Sequence, residues 1–154
     1  MLRIRESGLA DFDRLWQIDQ QCFSSGIAYS QEELAEYMGI PGSFTLAGET
    51  AEEGRASRIV GFVLATRDRR GAGHIITIDV LEEARRRGLG SLLLAAAEAR
   101  LGEQGCKRVL LEVAVDNAAA IAFYKRHGYA VLKTLPRYYL GTLDALLMEK
   151  KLAG

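Results

Sequence analysis

The residues best suited to chemistry stand together in Asp79-Val80-Leu81-Glu82-Glu83-Ala84-Arg85-Arg86-Arg87-Gly88-Leu89-Gly90-Ser91, where an apolar run passes into a helix-forming one through an Arg- and Gly-rich turn. Such a turn can hold an anion. Backbone N–H groups at a helix start converge on one point carrying about half a unit of positive charge, and glycine lets a phosphate approach the backbone. Three arginines beside it add charge-assisted hydrogen bonds. The dinucleotide fingerprint G-x-G-x-x-G fails, because Leu93 stands where its third glycine belongs, and no G-K-[ST] follows a glycine loop. Three arginines are also fewer than the roughly 5–8 basic residues of a nucleic-acid patch. A solvated charged turn is the competing reading of this segment alone.

A second group follows. Glu112 lies in Lys107-Arg108-Val109-Leu110-Leu111-Glu112-Val113, whose two faces are both mainly apolar from Val109 on, the pattern of a central strand covered on both sides. Desolvation of a carboxylate there raises its pKa toward the range of a general base; reaching a polar rim or pairing with an arginine is the alternative. Asn117, Ile121 and Tyr124 are spaced i, i+4, i+7 and share one helix face. Ala118, Ala119, Ala120 and Ala122 keep that helix low enough for a close neighbour or an extended ligand. His74 reads as a strand-edge residue, His127 as a cation at a helix C-terminus, and Trp16 as core. Cys106 follows a helix-ending glycine and has no basic partner close in sequence, which argues against a cysteine nucleophile.

These side chains need elements to hold them. Leu2 to Glu6 alternates apolar and charged residues, a half-buried strand. Phe12, Leu15, Trp16 and Ile18 mark a helix over Leu9 to about Phe23, with Asp11, Asp13 and Asp19 on its other faces. Ser30 and Glu33 form a capping box for a short helix to about Met38, closed by Gly39, Pro41 and Gly42. Ser43–Glu49, Arg58–Thr66 and His74–Leu81 read as three antiparallel strands joined by polar turns. Gly90–Gln104 reads as a helix ended by Gly105, Lys107–Val113 as a strand, and Asn117–His127 as a helix ended by Gly128. Tyr129–Leu135 and Leu143–Leu152 are the last strands. The order β-α-α-β-β-β-α-β-α-β-β is that of one α/β domain with a mixed sheet, since a strand-helix-strand unit is normally parallel.

The composition narrows the classes. The chain has 154 residues, 20 Lys+Arg against 20 Asp+Glu, and 49% hydrophobic residues, so a single domain over 1–154 is expected. A domain of this size buries roughly 68–70% of its unfolded surface and needs neither metal nor disulfide for its core. Cys22 and Cys106 lie far apart and form no zinc or redox motif, which points to a reducing, cytoplasmic setting. The balanced charge argues against a general nucleic-acid binder. No apolar run approaches the roughly 18 residues of a membrane span, and Met1–Glu6 lacks the apolar core of a signal peptide.

Taken together, the residues resemble the GCN5-related N-acetyltransferases (GNAT) over essentially the whole chain. Arg85-Arg86-Arg87-Gly88-Leu89-Gly90 looks like their acetyl-CoA pyrophosphate signature, [QR]-x-x-G-x-[GA]. The run Leu111-Glu112-Val113-Ala114-Val115-Asp116-Asn117-Ala118-Ala119-Ala120-Ile121-Ala122-Phe123-Tyr124 is similar to that of the ribosomal-protein-alanine N-acetyltransferases, as are Tyr138-Tyr139 and Asp144-Ala145-Leu146-Leu147-Met148. The usual proline before the signature is replaced by Leu81-Glu82-Glu83-Ala84, and Leu143 stands where that subfamily often has a glutamate.

The resemblance implies a mixed sheet of about seven strands with helices on both faces. It implies transfer of acetyl from acetyl-CoA, without a metal, to a primary amine, best an N-terminal α-amine of a protein or peptide. Glu112 would be the general base and Tyr124 the acid for the leaving thiolate. Ile78, Asp79 and Val80 would pair through their backbone with the pantetheine arm. Arg85, Arg86, Arg87, Gly88, Leu89, Gly90, Ser91 and Asn117 would complete the acetyl-CoA site. The Gly26-Ile27-Ala28-Tyr29 loop, with Tyr29, Tyr138 and Tyr139, would shape the acceptor side. A small-amine acetyltransferase or a non-catalytic acyl-CoA-binding regulatory domain are the alternatives, as monomer or homodimer. Residues 1–77 carry a net charge of −3 and residues 78–154 of +3, an asymmetry that would steer a cationic amine and polyanionic CoA to different ends.

Overall fold

The computed structural model describes residues 1–23 and 27–152, so Gly26 of the expected acceptor loop lies outside the described residues. The chain runs β1 (Leu2–Glu6), α1 (Phe12–Cys22), α2 (Gln31–Met38), β2 (Phe44–Thr50), β3 (Arg58–Arg67), β4 (Gly73–Val80), α3 (Leu89–Glu103), β5 (Arg108–Ala114), α4 (Ala118–Arg126), β6 (Ala130–Tyr139) and β7 (Leu143–Lys151). The seven strands form one sheet in the order β1-β2-β3-β4-β5-β7-β6. Every pairing is antiparallel except β4 with β5, the two strands joined by the α3 crossover. The expected α/β class, mixed sheet and order of elements along the chain are those observed.

Burial explains the layering. All eight inner residues of β3 are buried on both faces, as a strand covered by helices on each side must be. On one face glycines let α3 settle onto the strands: a Cβ at Gly48 would stand 2.6 Å from the Leu89 side chain, and one at Gly73 2.7 Å from that of Leu101. On the other face α1 packs against β3 and β4 through Leu15 and Ile18, while Leu34 anchors α2. Each such buried Leu or Ile contributes about 1.5–3 kcal/mol of transfer free energy.

Local signals decide the element ends. Ser30 Oγ accepts the Glu33 N–H at 3.1 Å and Glu33 Oε1 accepts the Ser30 N–H at 3.0 Å, the expected capping box. The first helix begins as a 3₁₀ turn over Leu9–Asp11, closed by the Gly8 N–H on Asp11 Oδ2, and becomes α-helical at Phe12. The Arg-rich turn is itself a 3₁₀ helix over Glu82–Arg87. β6 continues past the expected Leu135 through Pro136 to Tyr139, which an edge strand permits because its outer N–H has no ladder partner and its register already shifts there.

The reading of the first helix is overturned at one position. Asp19, read as part of a polar helix face, is completely buried. Leu15, Ile18, Asp19 and Cys22 fall at i, i+3, i+4, i+7, so Asp19 belongs to the stripe that α1 turns toward the sheet.

Candidate active site

The central strands part where the site lies. β4 and β5 pair only at Gly73↔Val109 and His74↔Leu110. Beyond these, β4 keeps its register with β3 as far as Val80↔Gly61, and β5 keeps its register with β7 as far as Ala114↔Ala145. The facing edges therefore diverge into a fork along Ile75–Val80 and Leu111–Ala114. A bulge of β4 opposite Leu64 and Ala65 adds a residue on the β4 side of this fork. Unpaired strand edges offer backbone donors and acceptors to an extended ligand. Ile78 and Val80, with Asp79 between them, lie on that edge. The Val80 carbonyl already accepts Arg85 Nε–H at 2.8 Å, and the Ile76 carbonyl faces the Tyr29 hydroxyl at 3.5 Å.

His74 and Glu112 meet at the root of the fork, with Nε2 and Oε1 2.8 Å apart. Glu112 is not enclosed by apolar side chains on both faces, as its strand suggested. Its side chain is 15% exposed and that of His74 32%. His74 is thus no edge residue: β4 lies between β3 and β5, and its short parallel register with β5 brings position 74 beside Glu112. The sequence reading missed it because its partner is set by that register alone.

Tyrosines gather above this pair. Tyr29 and Tyr37 stack edge to face with centroids 5.3 Å apart, and Tyr138 and Tyr139 do so at 4.8 Å. Burial, then the Glu112 charge, push the Tyr138 phenol up to about 12. Burial raises Tyr29 further, with lesser contributions from Tyr37, Tyr139 and Tyr138. The four rings come from the segment before α2, from α2 and from β6. Tyr37 had no distinguishing signal in sequence.

The arginine-glycine segment forms the opposite wall. Gly88 adopts φ 82°, a left-handed conformation that glycine takes without strain, and it caps α3 without a side chain. The N–H groups of Leu89, Gly90 and Ser91 at that start have no intrahelical acceptor, so they fit an anion. Arg85, Arg86 and Arg87 are exposed beside them, and Arg87 Nη1 also donates to Thr50 Oγ1 at 3.3 Å. Gly90 acts by packing: a Cβ there would fall 3.3 Å from the Phe123 ring, so it draws α3 against α4. Ser91 Oγ lies 3.0 Å from His127 Nε2, and His127 also stacks on Phe123 at 4.6 Å. His127 therefore binds α4 to α3, beyond the charge role expected of it.

Asn117 caps α4, its Oδ1 accepting the Ala120 N–H at 3.1 Å. Two turns on, Tyr124 is buried. Burial chiefly, then the charges of Asp79 and Tyr139, hold its phenol well above the ordinary tyrosine range. Trp16 is half-buried and donates its indole N–H to the Tyr29 carbonyl at 3.0 Å, so it supports the tyrosine segment as well as the core. Among the described residues no cluster of His, Cys, Asp and Glu could hold a metal ion.

The family pattern described as acetyltransferase (GNAT) family matches residues 12–129. An uncharacterized N-acetyltransferase of Methanocaldococcus jannaschii is 35% identical over 149 residues, 96% of this chain and 90% of that protein. An N-alpha-acetyltransferase of Sulfurisphaera tokodaii is 32% identical over 97% of this chain and 93% of its own length. The crystal structure of Ard1 from Thermoplasma volcanium superposes with a TM-score of 0.87 at 28% identity, covering 99% of both chains. The forked sheet, the uncapped α3 start behind Arg85–Arg87 and a family match across most of the length lead to one assignment: the chain belongs to the GNAT family of acetyltransferases, which use acetyl-CoA as donor.

Proposed function

We propose that this acetyltransferase acts on the α-amino group of a protein or peptide N-terminus, with Glu112 as general base and Tyr124 as general acid. The observation that carries this reading is the His74–Glu112 contact at the root of the fork, 2.8 Å long and half-buried beneath four tyrosines. The similarity to an N-alpha-acetyltransferase along nearly the whole chain supports the choice of acceptor.

The donor's binding groups follow from the site. The N–H groups of Leu89, Gly90 and Ser91 and the Arg85–Arg87 guanidiniums suit its pyrophosphate. The backbone of Ile78, Asp79 and Val80 suits its amide-bearing arm, and Asn117 at the head of α4 closes that side. An α-amino group has pKa about 7.7–8.0 and must be neutral to attack the thioester carbon. Glu112 takes its proton, directly or through one water, while His74 holds the carboxylate by donating Nε2–H to Oε1. As the new C–N bond forms and the C–S bond breaks, Tyr124 gives its phenolic proton to the departing thiolate. The raised Tyr124 group keeps that proton at neutral pH and has it to give. Tyr29, Tyr138 and Tyr139 line the acceptor side.

The test is a mass-shift screen of N-terminal peptides, polyamines and amino acids with acetyl-CoA. Acetylation of peptides at their first residue, with CoA release, is expected. Acetylation of small amines alone overturns the acceptor, and silence across the panel favours a binding domain.

A further inference from the structure

Two acidic side chains that the proposed mechanism does not use are buried side by side beneath β4. Asp19 of α1 is 0% exposed and Asp79 of β4 is 1% exposed. Asp19 Oδ2 accepts the Tyr29 N–H at 2.7 Å, and Asp79 Oδ1 accepts the Thr77 hydroxyl. Their remaining oxygens, Asp19 Oδ1 and Asp79 Oδ2, are buried without a partner among the described residues, in the packing of α1 against β4, where the Cys22 thiol, one turn after Asp19, meets the carbonyl of Val80, the residue after Asp79.

We infer that Asp19 and Asp79 share one proton between those two oxygens, and that this bridge is a positioning clasp holding α1 and the Tyr29 segment against β4. Two ionised carboxylates buried side by side are strongly disfavoured, since each loses hydration and repels the other. A single proton on Asp79 Oδ2, donated to Asp19 Oδ1, removes one charge and satisfies both unpartnered atoms.

The surroundings agree. Arg85 of the 3₁₀ helix is the cation acting on the pair, and its Nε–H is engaged by the Val80 carbonyl. Cys22 of α1 is a neutral thiol, pushed up to about 11 by burial and then by the Asp79 charge. Tyr124 of α4 and Tyr29 are neutral phenols, and Thr77 is the remaining polar neighbour. Burial, then the hydrogen bond and charge of Asp19, hold Asp79 well above the usual carboxylate range against the pull of Thr77 and Arg85. The clasp has a use. Asp19 grips the backbone of Tyr29 on the acceptor side, and Asp79 lies in the strand whose edge faces the donor arm.

The sign of the pH dependence follows by linkage. The folded chain keeps a proton that the unfolded chain releases above about pH 4, so stability is full below that pH and falls as pH rises toward the bridge's own titration. In Asp79→Asn the amide Nδ2 donates permanently to Asp19 Oδ1 while Oδ1 still accepts from Thr77. The unfolding constant of the wild type relative to Asp79→Asn is therefore expected to rise about tenfold per pH unit over this interval, read by urea unfolding. Infrared spectroscopy of the wild type at pH 7 is expected to show the carbonyl stretch of a protonated carboxyl group, lost in Asp79→Asn. Parallel pH profiles, or a wild type without that band, overturn the shared proton. The band is read on the natural chain, so it decides the matter even where a variant fails to fold.

The clasp has its own readout. Asp19→Ala is expected to raise KM for the acceptor about tenfold, the worth of one hydrogen bond to a charged group, with a smaller effect on kcat; Asp19→Asn restores most of it. An unchanged acceptor KM in Asp19→Ala overturns the clasp. If that variant does not fold, acceptor KM of the wild type is followed to high pH. It is expected to rise as the infrared band disappears, and not to do so in Asp79→Asn; equal profiles overturn the clasp. These kinetic arms rest on the amine-acceptor reading, whereas the infrared and unfolding arms do not, so the two failures are distinguishable.

Discussion

His74, the last residue of β4 that pairs with β5, holds its Nε2 2.8 Å from Oε1 of Glu112, two residues beyond the last paired position of β5. The contact joins the two halves of the sheet by side chains just where their backbones cease to do so. A base placed there is fixed in direction by its partner and remains open to the fork.

Glu112→Gln is expected to lower kcat/KM by roughly 10²–10⁴-fold, the usual worth of a general base. Because the acceptor amine must itself be neutral, a low-pH limb should remain in the variant, and an undiminished kcat/KM would remove Glu112 from that role. His74→Phe should cost less. Combined with Glu112→Gln it should add almost nothing, because the two act as a unit. Full additivity in that double-mutant cycle would separate them.

Tyr124→Phe keeps the ring contacts with Phe123 and Tyr129 and deletes only the hydroxyl proposed as proton donor. We expect kcat to fall by roughly 10²–10⁴-fold with acetyl-CoA binding nearly unchanged. Because burial raises this phenol, Tyr124 stays protonated through the assay range, and its ionisation should impose no alkaline limb below about pH 10. Steady-state kinetics from pH 6 to 10 check both points.

Gly88→Ala places a side chain at φ 82°, although open space surrounds it. The expected cost is about 1–2 kcal/mol in urea unfolding, from backbone strain alone. Arg86→Ala should leave stability unchanged and raise KM for acetyl-CoA, with a weaker dependence on salt than the wild type. Salt-independent KM values for both substrates in the wild type would remove steering by the charge asymmetry.

Gly61→Ala tests how tightly the fork is held from behind. The new Cβ would lie 2.7 Å from the Asp79 carbonyl, a backbone atom that cannot swing away. Overpacking of this kind costs about 1–3 kcal/mol, and the displaced strand should also weaken acetyl-CoA binding. Thermal unfolding and a KM measurement read the two effects separately.

At low pH the N-terminal ion-pair cluster should fail early. The Arg5 guanidinium and the Gly8 N–H hold Asp11 down at about 2, and Arg3 with Arg5 lowers Glu49. Both groups are depressed in the folded chain, so their stabilisation is full above the unfolded carboxylate range near pH 4 and is lost as pH falls toward 2. Arg5→Met should flatten the acid limb of a stability profile; an unchanged limb would show that these contacts add little.

The parts of the molecule governed by neighbours in sequence were legible in it. The Ser30–Glu33 capping box, the left-handed Gly105 and Gly128 after their helices, and the alternating strands stand where local chemistry puts them. The signature around Gly88 was also legible, because a turn and a helix start suffice to define it. His74 was not, since only the register between two strands distant in sequence selects its partner. Asp19 lay within reach: its i, i+4 spacing from Leu15 marks a buried position, but a carboxylate reads as a surface residue unless a second buried group is known to face it. Glu112 was singled out in sequence, but its surroundings were misjudged. Strands that diverge give a side chain an opening that an intact sheet would close.

The fork inverts the usual pattern of amide protection. In an unbroken sheet the outermost strands exchange their N–H hydrogens fastest and the middle is slowest. Here the seam between β4 and β5 runs through the middle of seven strands, so fast-exchanging amides should lie at the centre, flanked by slow ones on β3 and β7. A substrate arm seated in the seam would slow those central hydrogens first, and the enzyme would report its own occupancy from inside its most buried layer.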